Sequence, residues 1–386
     1  MNQRYSYNNS KKAKVSVQSN KRRGFRFYIL VAAVVLFSVL ISITVLSSCG
    51  ESNAPSDETD KTDVSGIERN TDIADSEKQK YDFRENVGKY PVEYAAYTDN
   101  TATFSEDFSF SSAILIDLKN NEVLAADNAE DRMYPASLTK IMTLIVAVEN
   151  CTDLDKTFTM TADIIDPLYL ENASVAGFSA GENITVRDML YGLILPSGAD
   201  AAVGLAEFVA GSEAEFVKLM NEKVKTLGLK DTRFMNASGL HHPNHYSTCH
   251  EMALILEYAL KNDTMLKILS TYQYTTTPTA EHPEGILLTS TLFSRMYGNE
   301  PECAFVVGGK TGYTIEAHHC LATFAVKCTE DESEEAIYAK SPDMILVTVG
   351  SSDRWGPIFN AIDIYSAFSN PTAEIKDRTV HPSRSR

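Results

Sequence analysis

The chain contains 386 residues, of which 44% are hydrophobic and 23% are charged. This composition predicts a folded domain with a sizeable core and excludes a wholly disordered protein. Its 52 acidic and 35 basic residues give a formal charge of −17, which argues against the phosphate backbone of a nucleic acid as a partner.

The N-terminal segment combines a basic arm with an apolar run. Residues 1–27 carry eight Lys or Arg and no acidic residue, and the rest of the chain carries a net charge of −25. Residues 28–46 contain no charge and are long enough to cross a bilayer as a helix. We predict a transmembrane anchor or signal segment over 28–48, with the later chain outside the cytoplasmic membrane. Because small residues precede Cys49, cleavage there with lipid attachment to Cys49 is the alternative.

An acidic segment follows the apolar run. Residues 49–107 show almost no apolar periodicity and an excess of acid, which predicts a flexible stalk. Aromatic residues return within 81–108, which indicates that this later part runs along the folded domain. The six cysteines are too few for a disulfide scaffold in a chain of this length, and no pairing is predicted.

The elements of the main domain, predicted over 108–370, begin and end with strands. A hairpin is expected at 112–118 and 123–126, and a buried helix at 138–149. The other helical patterns lie at 186–194, 199–210, 214–227, 250–260 and 357–368, and the late strands at 304–307, 320–326 and 344–349. This order predicts an α+β fold with an antiparallel sheet covered by helices, followed by a polar tail at 371–386.

The first candidate motif places a serine and a lysine one helical turn apart. Ser137 and Lys140 stand at the start of the predicted helix, so both side chains lie on one face. A buried amine with a lowered pKa can accept the serine proton, as a histidine does in other serine hydrolases. This pattern is common by chance, and a capping serine with a solvated lysine is the ordinary alternative.

Two later motifs favour the catalytic interpretation of Ser137 and Lys140 over the capping one. Ser197 lies at the apex of a turn between two predicted helices, where a capping role is the ordinary alternative. Lys310 and Thr311 stand between glycines on a predicted strand edge, where they could hold a carboxylate and a peptide backbone could approach, although a plain hairpin turn is also possible. The coincidence of all three motifs in this order favours a catalytic site.

These motifs resemble those of the penicillin-recognising serine hydrolases, and specifically the low-molecular-mass D-alanyl-D-alanine carboxypeptidases. The resemblance covers about 111–367 and includes YPASLTKIMT, VRDMLYGLILPSGADAAVGLAE, FVKLMNEKVKTLGLKDTRFMNASGL, HYST and GGKTGYT. It implies a transpeptidase-like fold in which a mostly helical subdomain accompanies the sheet. It also implies cleavage of D-Ala-D-Ala at the end of peptidoglycan stem peptides, inhibition by β-lactam antibiotics, and no cofactor or metal.

The resemblance assigns a role to each motif residue. Ser137 corresponds to the acylated nucleophile, Lys140 to its general base and Ser197 to the proton relay toward the leaving D-alanine. The substrate-binding residues would be Lys310, Thr311, Gly312 and Tyr313. The first two would grip the terminal carboxylate, and the backbone N–H groups of Ser137 and Tyr313 would form the oxyanion hole. Lys310 would also lower the pKa of Lys140 by repulsion between like charges.

The sequence departs from the family pattern at two places. Position 199 is alanine where the second motif usually ends in asparagine, and the loss of one hydrogen bond to substrate costs about 1–3 kcal/mol. Glu316-Ala317 and His318-His319 follow the third motif where Ala-Gly is common, which predicts a differently shaped loop. We expect no counterpart of the β-rich C-terminal domain that many relatives carry.

The same motifs also fit rival functions. A transpeptidase uses the same acylation step with an amine as acceptor, and Ala199 raises the possibility of a penicillin-binding protein with low turnover. A β-lactamase is less favoured, because residues 229–239 contain no glutamate to activate a deacylating water. A metal site at His241, His242 and His245 is also disfavoured, since Pro243 interrupts the spacing of a zinc helix.

Overall fold

The computed structural model describes residues 92–296, 298–329, 331–370 and 379–382. The predicted basic arm, the apolar segment at 28–48 and most of the stalk lie outside these residues. Within the described part of the chain, no helix has the length and apolar character needed to span a bilayer.

A seven-stranded sheet forms the centre of the domain. Its strands are β1 (Ala96–Phe104), β2 (Ser112–Asp117), β3 (Glu122–Asp127), β8 (Ala304–Thr314), β9 (His318–Lys327), β10 (Met344–Ser351) and β11 (Thr379–Val380). They lie side by side in the order β11-β1-β3-β2-β10-β9-β8. Two small two-stranded sheets pair β4 (Thr157–Thr159) with β5 (Asn183–Thr185) and β6 (Gln273–Thr275) with β7 (Leu287–Thr289).

Most helices belong to the segment between β3 and β8. They are α1 (Thr139–Asn150), α2 (Ala162–Leu170), α3 (Val186–Ile194), α4 (Ala199–Ala210), α5 (Glu213–Leu227), α6 (Cys249–Leu260), α7 (Asp263–Leu269) and α8 (Phe293–Met296). Two more follow: α9 (Glu334–Tyr338) and α10 (Gly356–Ser369). The predicted α+β class and the predicted order of strands, helices and strands are therefore confirmed.

Both faces of the central strands are buried, which explains why they read as continuous apolar runs instead of alternating patterns. On β2, Ile114 and Ile116 belong to the core shared with α1, α3, α4 and α6. Ala113 and Leu115 point to the other face, where α10 covers the sheet. An early strand and a late strand of the chain are direct neighbours, because Ile114 of β2 pairs with Val347 of β10.

The prediction of an antiparallel sheet was wrong at one edge. The neighbouring pairs β3–β2, β2–β10, β10–β9 and β9–β8 are antiparallel. Strand β1, in contrast, runs parallel to both β3 and β11. The predicted domain limits of 108 and 370 are also too narrow, since β1 and β11 lie in the sheet. The sequence AYTDNTATF of β1 is polar and mostly exposed, so it lacks the apolar signal of a core strand.

Candidate active site

Ser137 lies in a short 3₁₀ turn, Ala136–Leu138, immediately before α1. The turn begins with Ala136 at a φ of 46°, a left-handed conformation that is uncommon for alanine. Gly239 packs against this turn, and a Cβ on Gly239 would lie 2.0 Å from the carbonyl oxygen of Ala136. Only glycine therefore permits this contact, which fixes the turn that carries the half-buried Ser137 side chain.

Lys140 faces Ser137 from the first turn of α1, as the spacing predicts. Its Nζ lies 3.1 Å from the Oγ of Ser137 and donates a 2.5 Å hydrogen bond to the carbonyl oxygen of Ser238. The side chain is 2% exposed, and burial lowers the pKa of Lys140 to about 7 against the attraction of the Asp200 carboxylate. A large fraction of this amine is consequently neutral near pH 7, with a lone pair available to the serine proton.

Ser197 occupies the turn between α3 and α4, also as predicted. Its φ of 67° lies in the left-handed region, which marks a backbone held in place by its surroundings. Its Oγ accepts a 2.8 Å hydrogen bond from the Nζ of Lys310, a residue 113 positions later in the chain. Ala199 is buried next to this turn, and its methyl side chain offers no hydrogen bond there.

The third motif lies on β8, at the edge of the main sheet. Lys310 is 1% exposed and also donates to the carbonyl oxygen of Thr311, whose hydroxyl lies 2.6 Å from that of Thr291. A Cβ on Gly312 would lie 3.2 Å from the backbone nitrogen of Ser137, so β8 passes directly beside the nucleophile turn. Tyr313 is 55% exposed, and its ring stacks on His319 of β9 at a centroid distance of 4.4 Å.

The two lysines differ from the predicted electrostatic arrangement. Burial, and not repulsion by Lys310, lowers the pKa of Lys140. The repulsion acts on Lys310, whose pKa is lowered well below its ordinary value by burial, then by Lys140 and by Arg295. The site therefore disfavours two positive charges at once, because neither ammonium has a carboxylate within ion-pair distance in the described part of the chain.

Asp200 supports the second motif, and the sequence analysis missed it. Its buried carboxylate accepts hydrogen bonds from the backbone N–H groups of Ala176, Gly177, Phe178 and Ala201. Burial raises the pKa of this carboxyl, and the four N–H groups oppose that rise. An acidic residue inside the apolar stretch after Ser197 was the available signal, since a buried carboxylate requires several donors.

The segment from Asn236 to Gly239 supports Lys140. The Asn236 side chain accepts from the N–H of Gly239, and Thr143 of α1 donates to the carbonyl oxygen of Ala237. These bonds hold the loop that presents the Ser238 carbonyl to Lys140.

The three histidines of the neighbouring loop have separate positions. His245 is buried, with Nε2 2.8 Å from the Thr139 hydroxyl and Nδ1 accepting from the N–H of Met235. Burial lowers the pKa of His245 to about 4. His241 instead lies with its Nδ1 3.6 Å from a carboxylate oxygen of Glu316 in the β8–β9 turn. The loop lies beside the site, and its histidines have protein partners.

These contacts bring Ser137, Lys140, Ser197 and Lys310 to neighbouring turns around one strand edge. A hydroxyl nucleophile, a largely neutral amine and a second lysine–serine pair are the components of acyl transfer without a histidine. Gly312 and Tyr313 stand beside the backbone of Ser137, where two N–H groups could meet a developing oxyanion.

Comparison with known proteins agrees with this chemistry. The family model described as D-alanyl-D-alanine carboxypeptidase matches residues 99–333. The D-alanyl-D-alanine carboxypeptidase DacF of Bacillus subtilis is 39% identical over 221 residues, which is 56% of this chain and 54% of that protein. The chain thus matches about half the length of this relative.

Solved structures give the same result for the fold. The Streptomyces K15 DD-transpeptidase is 27% identical with a TM-score of 0.56, covering 68% of this chain and 98% of that one. A D-alanyl-D-alanine carboxypeptidase of Mycobacterium tuberculosis H37Rv, 24% identical over 72% of this chain and 98% of its own, shares the fold with a TM-score of 0.58. The chain belongs to the D-alanyl-D-alanine carboxypeptidase family of serine peptidases.

Proposed function

We propose that this protein removes the terminal D-alanine from peptidoglycan stem peptides through an acyl-enzyme on Ser137. The observation that carries the proposal is the Ser137 hydroxyl 3.1 Å from the amine of Lys140, whose pKa burial lowers to about 7. Family membership supports D-Ala-D-Ala as the substrate. No cofactor or metal takes part in the proposed steps.

Acylation starts when the neutral Lys140 amine accepts the proton of the Ser137 hydroxyl. The oxygen then bonds to the carbonyl carbon of the penultimate D-alanine, and the backbone N–H groups of Ser137 and Tyr313 stabilise the oxyanion. When the peptide bond breaks, the proton that Lys140 took from Ser137 passes through Ser197 to the leaving D-alanine nitrogen, and Lys140 returns to its neutral form. Ser197 is held for this step by the hydrogen bond that it accepts from Lys310. Lys310 and Thr311 hold the terminal carboxylate during this step.

Deacylation repeats the sequence with water. Lys140 accepts a proton from water, and the water oxygen bonds to the carbonyl carbon of the acyl-enzyme. The ester bond to Ser137 then breaks, and Lys140 returns the proton to the serine oxygen. The products are free D-alanine and a stem peptide shortened by one residue. β-Lactam antibiotics would acylate Ser137 by the same first step.

The direct test is D-alanine release from a peptide ending in D-Ala-D-Ala by the folded domain. Ser137→Ala should abolish both this release and the covalent penicillin adduct seen by intact mass. A penicillin adduct on Ser137 with no D-alanine release would contradict a carboxypeptidase and favour the transpeptidase. Addition of an acceptor amine to the same assay separates the two, because a transpeptidase forms a new peptide product.

Ala199 motivates the second candidate, a penicillin-binding protein with low turnover. The family pattern has an asparagine amide at this position, and the buried methyl group of Ala199 cannot donate or accept a hydrogen bond. Ala199→Asn discriminates the two functions. An adapted carboxypeptidase should gain little or lose activity, whereas a degenerate binder should gain D-alanine release.

We further propose that the domain works outside the cytoplasmic membrane, tethered by the apolar segment at 28–48 or by lipid on Cys49. The support is the order of the basic arm, the apolar run and the acidic stretch. Fractionation of cells expressing the full chain tests this: the protein should sediment with membranes and be digested by protease added outside. Loss of membrane association in Cys49→Ala alone would favour the lipid anchor over the transmembrane anchor.

A further inference from the structure

The β8–β9 turn adds an acidic group at the end of the strand that carries the third motif. Glu316 lies in this turn, where the sequence departs from the family pattern. Its carboxylate is 3.6 Å from the Nδ1 of His241, and the two side chains are 41% and 30% exposed. The ring of His241 rests edge-on against Tyr134, three residues before Ser137, at a centroid distance of 4.7 Å.

The position of Glu316 relative to a bound peptide follows from the direction of β8. This step rests on the proposed function, which places the substrate carboxylate at Lys310 and Thr311 and the scissile carbonyl beside Tyr313. The peptide therefore continues toward its N-terminus past Thr314. One extended residue advances about 3.3 Å, so the side chain before the D-Ala-D-Ala pair reaches the level of Glu316.

The charges of the site are arranged along the same direction. Basic side chains cluster at the carboxylate end, because Arg295 and Lys140 are close enough to Lys310 to lower its pKa. At the opposite end, His241 is the only basic side chain within ion-pair distance of Glu316 in the described part of the chain. A carboxylate that is partly exposed and paired only with histidine retains acceptor capacity for a ligand cation.

A small cavity lies between His241 and the nucleophile turn. Its lining includes Pro135 and Ala136 next to Ser137, Thr314 next to Tyr313, and His241. The contact between Glu316 and His241 thus connects the two segments that border the site on this side.

We propose that Glu316 determines substrate specificity by binding the side-chain ammonium of the residue immediately before D-Ala-D-Ala. The carboxylate oxygen would accept a charge-assisted hydrogen bond from this amine. His241 would orient the carboxylate across the end of the cleft. Peptides with a basic residue at this position are therefore the preferred substrate class, and those with a neutral or acidic residue are cleaved more slowly.

The test compares two peptides of equal length, N-acyl-L-Lys-D-Ala-D-Ala with a free ε-amine and the same peptide with the ε-amine acetylated. D-alanine release at about pH 8 gives kcat/KM for each. The wild-type protein should prefer the free amine by about two- to fivefold, the range of a partly exposed ion pair. In Glu316→Gln this ratio should fall to about one while cleavage of the acetylated peptide is retained.

Glu122→Gln is the matched control, since Glu122 is a partly exposed glutamate on β3, four strands away from β8. It should keep the wild-type ratio. Equal rates for both peptides in the wild-type protein, or a preference that survives Glu316→Gln, would overturn the inference.

A second readout separates this inference from the proposed function. If neither peptide releases D-alanine, the proposed carboxypeptidase fails, but acylation of Ser137 by β-lactams still reports on Glu316. Ampicillin carries a side-chain amine and should acylate the wild-type protein faster than N-acetyl-ampicillin. Glu316→Gln should remove that difference, and no difference in the wild-type protein would refute the role of Glu316.

Discussion

The titration of Lys140 should control the rate at which Ser137 is acylated. Burial lowers the pKa of Lys140 to about 7, and only the neutral amine can accept the serine proton. At that pKa about half of the lysines are neutral at pH 7 and about 1% at pH 5. Acylation should therefore slow roughly 50-fold between these two pH values. With an ordinary lysine pKa, only about 0.03% would be neutral at pH 7.

The assay is the second-order rate of acylation by a fluorescent penicillin, measured from pH 5 to pH 9 with circular dichroism to show that the domain stays folded. The rate should rise about tenfold per pH unit below 6 and level off above 8. Lys140→Arg keeps a positive charge at all these pH values, so its rate should be roughly 10²–10⁴-fold lower and without this pH dependence. A flat wild-type profile, or one still rising above pH 9, would refute the assignment of Lys140 as the base.

Two further predictions concern stability. Because burial lowers the pKa of His245 from 6.5 to about 4, the unfolded chain binds more protons in this window, and stability should fall by about 3 kcal/mol as pH drops from 6.5 to 4. Urea unfolding should show this loss reduced in His245→Gln and retained in His318→Asn; an unchanged slope in His245→Gln would contradict the assignment. Gly239→Ala should abolish penicillin acylation and cost more stability than Gly211→Ala, since both have positive φ but only Gly239 meets the Ala136 carbonyl. Equal melting temperatures of the two glycine variants would show that this contact does not hold the nucleophile turn.

The helices that present the catalytic motifs were predictable because their local signals are strong. Predicted and observed limits coincide for α3 and α4 and differ by one residue for α5 and α6. Each has a cap or a glycine at its boundary, such as Thr248 before α6 and Gly228 after α5. Ser137 and Lys140 face each other for the same local reason, a separation of one turn.

Other elements gave little local signal. Strand β1 is polar, and β11 is two residues long, so both are strands only because an existing sheet edge pairs with them. Asp200 also gave little local signal, since a single acidic residue in an apolar stretch does not reveal which backbone N–H groups will surround it. Its four donors come from residues 22 to 24 positions earlier and from its immediate neighbour.

The sequence by itself determined the residue types and the order of the three motifs, together with the helices and strands that carry them, because these depend on spacing and caps within a few residues. The tertiary structure decided the chemistry of the site. It buried Lys140 and so lowered its pKa, and it placed Lys310 against Ser197 across 113 positions. It also joined Glu316 to His241. Desolvation and contacts between distant segments exist only in the folded chain. For this reason the sequence identified the two lysines of the site but did not predict their protonation states.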